Sequence, residues 1–396
     1  MAKIMVIGGG IAGAAAALGL HRAGFEVEVY EAHPDTGADI GAFLTLASNG
    51  MRALAQLDAA AAVAELGFPL TTMDVLDGSG EELAAMPLGE SGHPLTRYRC
   101  LRRADLAATL RQEVLRRGVP IRHSARLVTV TEDRDGVTAA FADGSSARAD
   151  LLVGADGLHS AVRGQLDAAA PRPDYAGQQV FYGYTTGYTG EAVPPSQARS
   201  ERITMIRGSG AAFGYALSPA GETFWFARVP GPPADAEELA GTGADGWRER
   251  LLPLLRPDRT AAAEIVAATA DRLMVTNALH LGPGTRWRGE RTVLIGDAAH
   301  AASPATGQGA SMALEDAVVL AKALREGGPG TAALEHYERL RRPRTELNAA
   351  VSARLTAGGT GPRTPVVAAD RPTGTTAVDE ELLRLLDWNT PLPTGS

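Results

Sequence analysis

The stretch Lys3-Ile4-Met5-Val6-Ile7-Gly8-Gly9-Gly10-Ile11-Ala12-Gly13 decides the fold. Its first five residues read as a short buried strand, the glycines follow at once, and residues 12–23 form an alanine-rich helical run that stops at Gly24. A second strand over residues 26–30 ends in Glu31. Strand, glycine turn, helix, strand and acid, in that order, are the signature of a dinucleotide-binding unit. Gly8 permits the tight turn, Gly10 lets a pyrophosphate approach the backbone, and Gly13 lets helix and strand pack closely. The helix start at Ile11 and Ala12 then faces the phosphates, and Glu31 is placed to accept hydrogen bonds from an adenosine ribose.

Two further glycine motifs stand far down the chain. Gly154-Ala155-Asp156-Gly157 follows an apolar strand at 150–153 and precedes a helix start carrying Ser160 and Arg163. Gly296-Asp297-Ala298-Ala299-His300 follows a second apolar strand at 292–295. Both sit at strand carboxyl ends, where ligands bind in open α/β sheets. Gly241-Thr242-Gly243-Ala244-Asp245-Gly246 satisfies the same glycine spacing as the first motif, but no strand precedes it and no acid-tipped strand follows. It reads as a loop between helices, so the chain carries one nucleotide-binding unit.

If all three motifs touch one cofactor, the nucleotide-binding domain is discontinuous, formed by residues 1–70, 97–172 and 272–357. Residues 71–96 and 173–271 then form a second, β-rich domain, with strands expected at 178–186, 203–206, 211–217 and 222–229. Nearly half of the chain's aromatic residues fall between Phe181 and Phe226. Phe213, Tyr215 and Leu217 share one face of their strand, while Ala212, Gly214 and Ala216 leave the other open to a ligand or to another packed element. Helices are expected at 235–255 and 261–269. A clear amphipathic helix is expected at 310–324, with Ala313, Ala317, Leu320, Ala321 and Leu324 on its apolar face. Residues 358–396 read as a Gly/Pro/Thr-rich linker followed by a short helix at 378–388 that docks on the body or on a second subunit.

Composition narrows the function. A net charge of −8 argues against a general nucleic-acid binder. No apolar run approaches the ~20 residues that span a bilayer, so no integral membrane segment and a cytoplasmic location are expected. Cys100 is the only cysteine, which removes disulfide reductases and cysteine metal clusters, and the histidines show no metal-ligand spacing. Lys3 and Lys322 are the only lysines, and neither is placed beside a nucleotide turn.

With the third motif included, the chain resembles the single-component FAD-dependent monooxygenases, the class related to para-hydroxybenzoate hydroxylase and salicylate hydroxylase, over roughly residues 1–355. The resemblance implies an α/β fold: a glutathione-reductase-type FAD-binding Rossmann domain with an inserted mixed or antiparallel β-sheet substrate domain, and no separate NAD(P)H domain. By position, Gly8, Gly10, Gly13 and Glu31 would hold the ADP half of FAD. Arg103, with Arg102 as the fallback, would meet the pyrophosphate. Asp156 would belong to a motif shared by FAD and NAD(P)H, and Asp297 would accept a ribityl hydroxyl. Pro304-Ala305-Thr306-Gly307-Gln308-Gly309 runs into a helix beginning at Ala310, whose positive end would face the flavin pyrimidine edge and stabilise the anionic reduced ring. Residues 41–49 would lie beside the isoalloxazine, and Ser311 stands where many relatives carry Asn.

The implied reaction takes hydride from NADPH or NADH and inserts one oxygen atom from O₂, through a C4a-hydroperoxyflavin, into a small electron-rich, aromatic substrate. Tyr182, Tyr184, Arg207, Phe213 and Tyr215 are the candidate substrate-side residues, with core packing as the competing role for each aromatic and an exposed ion pair for Arg207. His300 is read as structural rather than as a base. The partners expected are the substrate and O₂ in a monomer or homodimer, without metal. Alternatives are epoxidation of a biosynthetic intermediate, a geranylgeranyl-type flavin reductase, or a non-catalytic flavin-binding protein. Flavin-dependent halogenation is disfavoured, because Phe224-Trp225-Phe226-Ala227-Arg228-Val229-Pro230 lacks the halogenase pattern and lysine is scarce.

Overall fold

The computed structural model describes residues 1–34, 42–89, 93–186, 201–358 and 377–394. A five-stranded sheet, in the order Thr292–Leu294, Leu151–Gly154, Lys3–Ile7, Glu26–Tyr30 and Ile121–Arg122, has every neighbouring pair parallel. Parallel strands are covered on both faces and so read as continuous apolar runs; Ile4, Met5, Val6, Leu152, Val153 and Val293 are accordingly buried. The helix Ile11–Arg22 packs between this sheet and the helix Gly309–Gly327. Small side chains make that approach possible: a Cβ on Gly19 would lie 3.0 Å from the Ala321 Cβ. On the other face lies an antiparallel three-stranded sheet over Leu127–Asp133, Gly136–Phe141 and Ser146–Ala149, with Tyr30 stacked on Phe141 at 4.8 Å.

A second sheet has seven strands, ordered Leu273–Leu281, Pro173–Thr186, Glu222–Pro230, Ala212–Leu217, Arg202–Arg207, Thr72–Asp77 and Glu82–Pro87. Only the pairing of Arg202–Arg207 with Thr72–Asp77 is parallel, so the sheet is mixed. It extends to Leu281, past the boundary at 271 expected from the sequence, because Leu273–Leu281 pairs along Pro173–Thr186. One face buries Phe181, Phe213, Tyr215 and Trp225 under the helices Ala244–Leu255 and Ala262–Ala267. The other carries Tyr182, Tyr184, Phe224 and Phe226 against Phe43 and Phe68. The helix expected over 235–255 is two helices, Ala236–Gly241 and Ala244–Leu255, with Thr242 and Gly243 forming the break between them.

The helix Gly309–Gly327 corrects the amphipathic reading. Every residue from Ser311 to Leu324 is buried, including Glu315, Asp316 and Lys322. Each buried charge has a partner from a distant part of the chain. Arg341, on the helix Thr331–Ala357, donates from Nη1 to Glu315 at 2.6 Å and from Nε to Asp316 at 2.7 Å. Arg344 donates to both oxygens of Glu315, at 2.7 and 2.9 Å. Lys322 donates to the carbonyls of Leu385 and Asp387, at 2.7 and 2.6 Å, and burial lowers its pKa to about 8. It therefore holds down the segment after the helix Ala377–Leu386, where Trp388 packs between Arg22 and Arg325. Residues 359–376 of the expected linker lie outside the described residues. No described helix is long and apolar enough to cross a membrane.

Removing one partner of a buried ionic cluster leaves an uncompensated charge. Arg341→Met should therefore lower the unfolding free energy in urea by about 3–5 kcal/mol; a loss under about 1 kcal/mol, the scale of an exposed pair, would show that the cluster is solvated.

Candidate functional site

The sheet order brings the three glycine motifs to one edge. Gly8 has φ +103°, and a Cβ there would overlap the Ala155 carbonyl; a Cβ on Gly13 would overlap the Gly8 carbonyl oxygen. The helix start is thereby pressed onto the strand end, while the space beside Gly10 is open to at least 4 Å. Gly10 is the N-cap, and no side chain caps this helix. The first-turn N–H groups, those of Ile11, Ala12 and Gly13, thus form an anion-ready end. Glu31 closes the turn by accepting from Gly9 N at 2.6 Å and His33 N at 2.8 Å.

Asp156 does something the sequence did not indicate. Its carboxylate accepts from Ser160 Oγ at 2.5 Å and from the N–H groups of Ala161 and Val162 at 2.7 and 3.1 Å. It therefore organises the start of the helix Ala161–Leu166, and burial outweighs these bonds to raise its pKa. Arg163, buried on that helix, donates to Ala298 O at 3.0 Å and Leu158 O at 2.7 Å. This bond ties the second motif to the third.

In the third motif, a Cβ on Gly296 would lie 3.0 Å from the Ala12 Cβ, so this turn abuts the first helix. Asp297 is half-buried, has no hydrogen-bond or ion-pair partner among the described residues, and lies 4.0 Å from where a Gly309 Cβ would be. Pro304–Thr306 forms a 3-10 turn, Gly307 adopts φ +65°, and the helix Gly309–Gly327 begins with no side-chain cap at Gln308. Gln308 instead accepts from Asn49 Nδ2 at 3.1 Å, and Asn49 also donates to Glu315 at 2.6 Å. Ser311 is buried and accepts from Ala47 N at 3.3 Å. The N–H groups of Gly309 and Ala310 complete a second uncapped helix end.

Of the segment expected at 41–49, Gly41 lies outside the described residues. Phe43–Leu46 is a strand, and Thr45 Oγ1 stands 3.2 Å from where a Gly307 Cβ would be. Phe43, on the same side of that strand, packs edge-on against Tyr182 at 6.3 Å and tilted against Phe226 at 6.1 Å. The aromatic face of the seven-stranded sheet therefore meets the glycine loops across Phe43.

The substrate-side candidates separate on this geometry. Tyr182 is on the face toward Phe43; burial raises its phenol pKa against the opposing pull of the Arg103 and Arg228 charges. Tyr184 is also on this face but serves as a platform for Arg102, at 4.7 Å, and Arg272, at 5.1 Å. Arg102 is further paired with Glu222 at 2.5 Å, which commits the fallback residue to the sheet and leaves Arg103 as the exposed cation at the helix start. Phe213 and Tyr215 are corrections: they lie on the opposite face, under the helices, with Phe213 stacked on Trp225 at 5.6 Å. Strand alternation gave two faces but could not say which met the helices. Arg207 is on the face toward Phe43, in register with Ala212 and Asp77. Arg228 stands in the same cross-strand row, opposite Ala212.

His300 is turned inward, its Nε2 2.5 Å from Asp316 Oδ2 and its ring 5.3 Å from that of Trp287. Burial alone would raise the Asp316 pKa, but the His300 and Arg341 charges and hydrogen bonds hold it well below the carboxylate range. A depressed native pKa contributes stability that is complete above the ordinary value of 3.8 and is lost as pH falls toward the native one. Between about pH 4 and pH 2.5 the unfolding free energy of the wild type should fall more steeply than that of Asp316→Asn, by up to about 1.4 kcal/mol per pH unit. Parallel slopes would contradict the assignment.

Residues 1–353 match the family described as an FAD binding domain. A 3-amino-4-hydroxybenzoate 2-monooxygenase of Streptomyces platensis is 36% identical over 360 residues, covering 86% of this chain and 84% of that protein. The aurachin C monooxygenase/isomerase of Stigmatella aurantiaca is 32% identical over 361 residues, covering 89% and 88%. Klebsiella pneumoniae HpxO complexed with FAD and uric acid aligns in three dimensions with a TM-score of 0.80 at 30% identity, over 97% of this chain and 93% of that one.

Proposed function

This chain belongs to the FAD-binding-domain family of flavoprotein monooxygenases, and from that premise we propose that it hydroxylates a small aromatic substrate with NAD(P)H and O₂. The observation that carries the reading is the meeting of two uncapped helix ends with Asp297, which has no partner among the described residues, and the strand of Phe43 and Thr45, which links the second of those ends to the aromatic sheet.

The residues present fit FAD. Gly8, Gly10 and Gly13 shape an open cradle whose Ile11 and Ala12 N–H groups receive the pyrophosphate, with Arg103 adding charge from outside. Glu31 keeps lone pairs for ribose hydroxyls beyond the two backbone bonds that orient it. Asp297 would accept a hydrogen bond from a ribityl hydroxyl. Because the Asp156 carboxylate is engaged by Ser160 and Ala161, the backbone of this motif rather than that carboxylate would border the nucleotide. Pro304, Gly307, Gln308, Gly309 and Ala310 present the second helix end to the flavin's pyrimidine edge, where negative charge gathers on reduction.

Bound FAD supplies the two-electron redox and oxygen-activating chemistry. The protein's share is to orient the substrate and exclude water. Phe43, Tyr182, Phe224 and Phe226 give the substrate ring an apolar wall, and their packing keeps the reaction space dry. The balance is one aromatic C–H, O₂, NAD(P)H and a proton giving a phenol, NAD(P)⁺ and water. The 3-amino-4-hydroxybenzoate and uric acid named for relatives support a small, electron-rich ring. The reading includes a cytoplasmic monomer or homodimer.

Asp297→Ala removes a carboxylate that bonds to no described residue, so the ligand-free fold should be unchanged while co-purified FAD drops at least about tenfold; wild-type flavin content would reject the ribityl assignment. For the reaction, a panel of hydroxy- and aminobenzoates is added to FAD-loaded protein with NADPH or NADH. Substrate-stimulated oxidation with a product 16 mass units heavier supports the reading, and oxidation unaffected by every member opposes it.

A further inference from the structure

Arg228 stands in the strand Glu222–Pro230, opposite Val180 on one neighbouring strand and Ala212 on the other. Alternation puts it on the face of Phe224 and Phe226, the face that packs on Phe43. Its Nε and Nη1 are shut off from water and have no hydrogen-bond partner. No ion pair reaches it among the described residues, and the group that favours its charge is the phenol of Tyr182, which is itself held neutral by burial. Desolvation lowers the guanidinium's pKa, but arginine starts so high that it stays protonated.

A half-buried cation with two donors shut off from water and unpaired is costly and ordinarily finds an anion. Among the described residues none pairs with it. Ala212, small and in the same row, leaves one flank of the guanidinium uncovered by a large side chain. A ring resting on Phe226, Tyr182 and Phe43 would lie two residues along the strand from this charge. A phenol with an ordinary pKa near 10 is neutral at pH 7, whereas a benzoate is fully ionised, so a desolvated guanidinium selects the acid.

We infer that Arg228 is the counter-charge for a carboxylate on the substrate, which makes the substrate an aromatic acid; this rests on the monooxygenase reading above and narrows it. Arg228 binds and orients the acid group, and the ring carbon to be hydroxylated is set by its distance from that anchor.

The test uses the FAD-loaded protein without NAD(P)H, and three probes: 3-amino-4-hydroxybenzoate, its carboxamide, and 2-aminophenol. Binding is read by calorimetry and by perturbation of the flavin absorbance. The wild type should bind the acid about 10- to 100-fold more tightly than either uncharged probe, the range of one charge-assisted hydrogen-bonding anchor. Arg228→Gln should level the three affinities, and Arg228→Lys should restore part of the preference, with flavin content unchanged in both. Ligand-free Arg228→Met should melt at a higher temperature than the wild type, because an unpaired buried charge is gone.

Equal affinities in the wild type, no binding of the acid at millimolar concentration, or a preference that survives Arg228→Gln would each overturn the inference. Because no reductant is present, selective acid binding without later NAD(P)H oxidation would sink the monooxygenase reading and leave the anion site standing.

Discussion

The contact of backbone with backbone at Gly13 and Gly8 sets the position of everything else. No side chain fits between the helix Ile11–Arg22 and the end of Lys3–Ile7, so the first turn of that helix is fixed against the sheet edge. The same closeness brings Ala155 onto Gly8 and Gly296 onto Ala12. Three segments separated by well over a hundred residues therefore share one edge, and the Arg163 bond to Ala298 O locks the second to the third. A helix end held open in this way, with no side-chain cap, is an anion site by construction.

The second helix end is held by a different device. Gly309–Gly327 runs through the interior, and its orientation is fixed by ionic partners rather than by an apolar stripe. Arg341 bridges Glu315 and Asp316, Asp316 reaches both Gly296 N and His300, and Asn49 links Glu315 to Gln308. The cluster thus connects the loop before the helix to the third motif. Buried charge of this kind contributes little net stability but penalises any misplacement heavily. Such a penalty suits a loop that must hold N–H groups in one place.

The glycine motifs and the flanking strands were legible because their signals are local. A φ of +103° at Gly8 or a run of buried residues such as Ile4 to Ile7 leaves a mark in adjacent letters. What was not legible depends on partners distant in sequence. Glu315 and Lys322 made the interior helix look amphipathic, since nothing nearby announces Arg341 or the carbonyl of Leu385. Phe213 and Tyr215 were seen to share a face, but that the face lies under two helices is a tertiary fact. Asp156 matched a known motif, while its role as a helix cap shows only in its bonds. Arg228 looks ordinary in its strand, and that its Nε and Nη1 meet no partner among the described residues shows only in three dimensions.

On the proposed reading these features form one oxidising site, with two helix ends and Asp297 for the flavin, an aromatic wall beyond Phe43, and a charge at Arg228 for the substrate. The central claim is that oxygen from O₂, not from water, enters a ring placed there. Turnover of an accepted aromatic acid under ¹⁸O₂ in ordinary water tests it most directly. The account predicts one ¹⁸O atom in each molecule of hydroxylated product; product carrying only ¹⁶O under ¹⁸O₂ would contradict it.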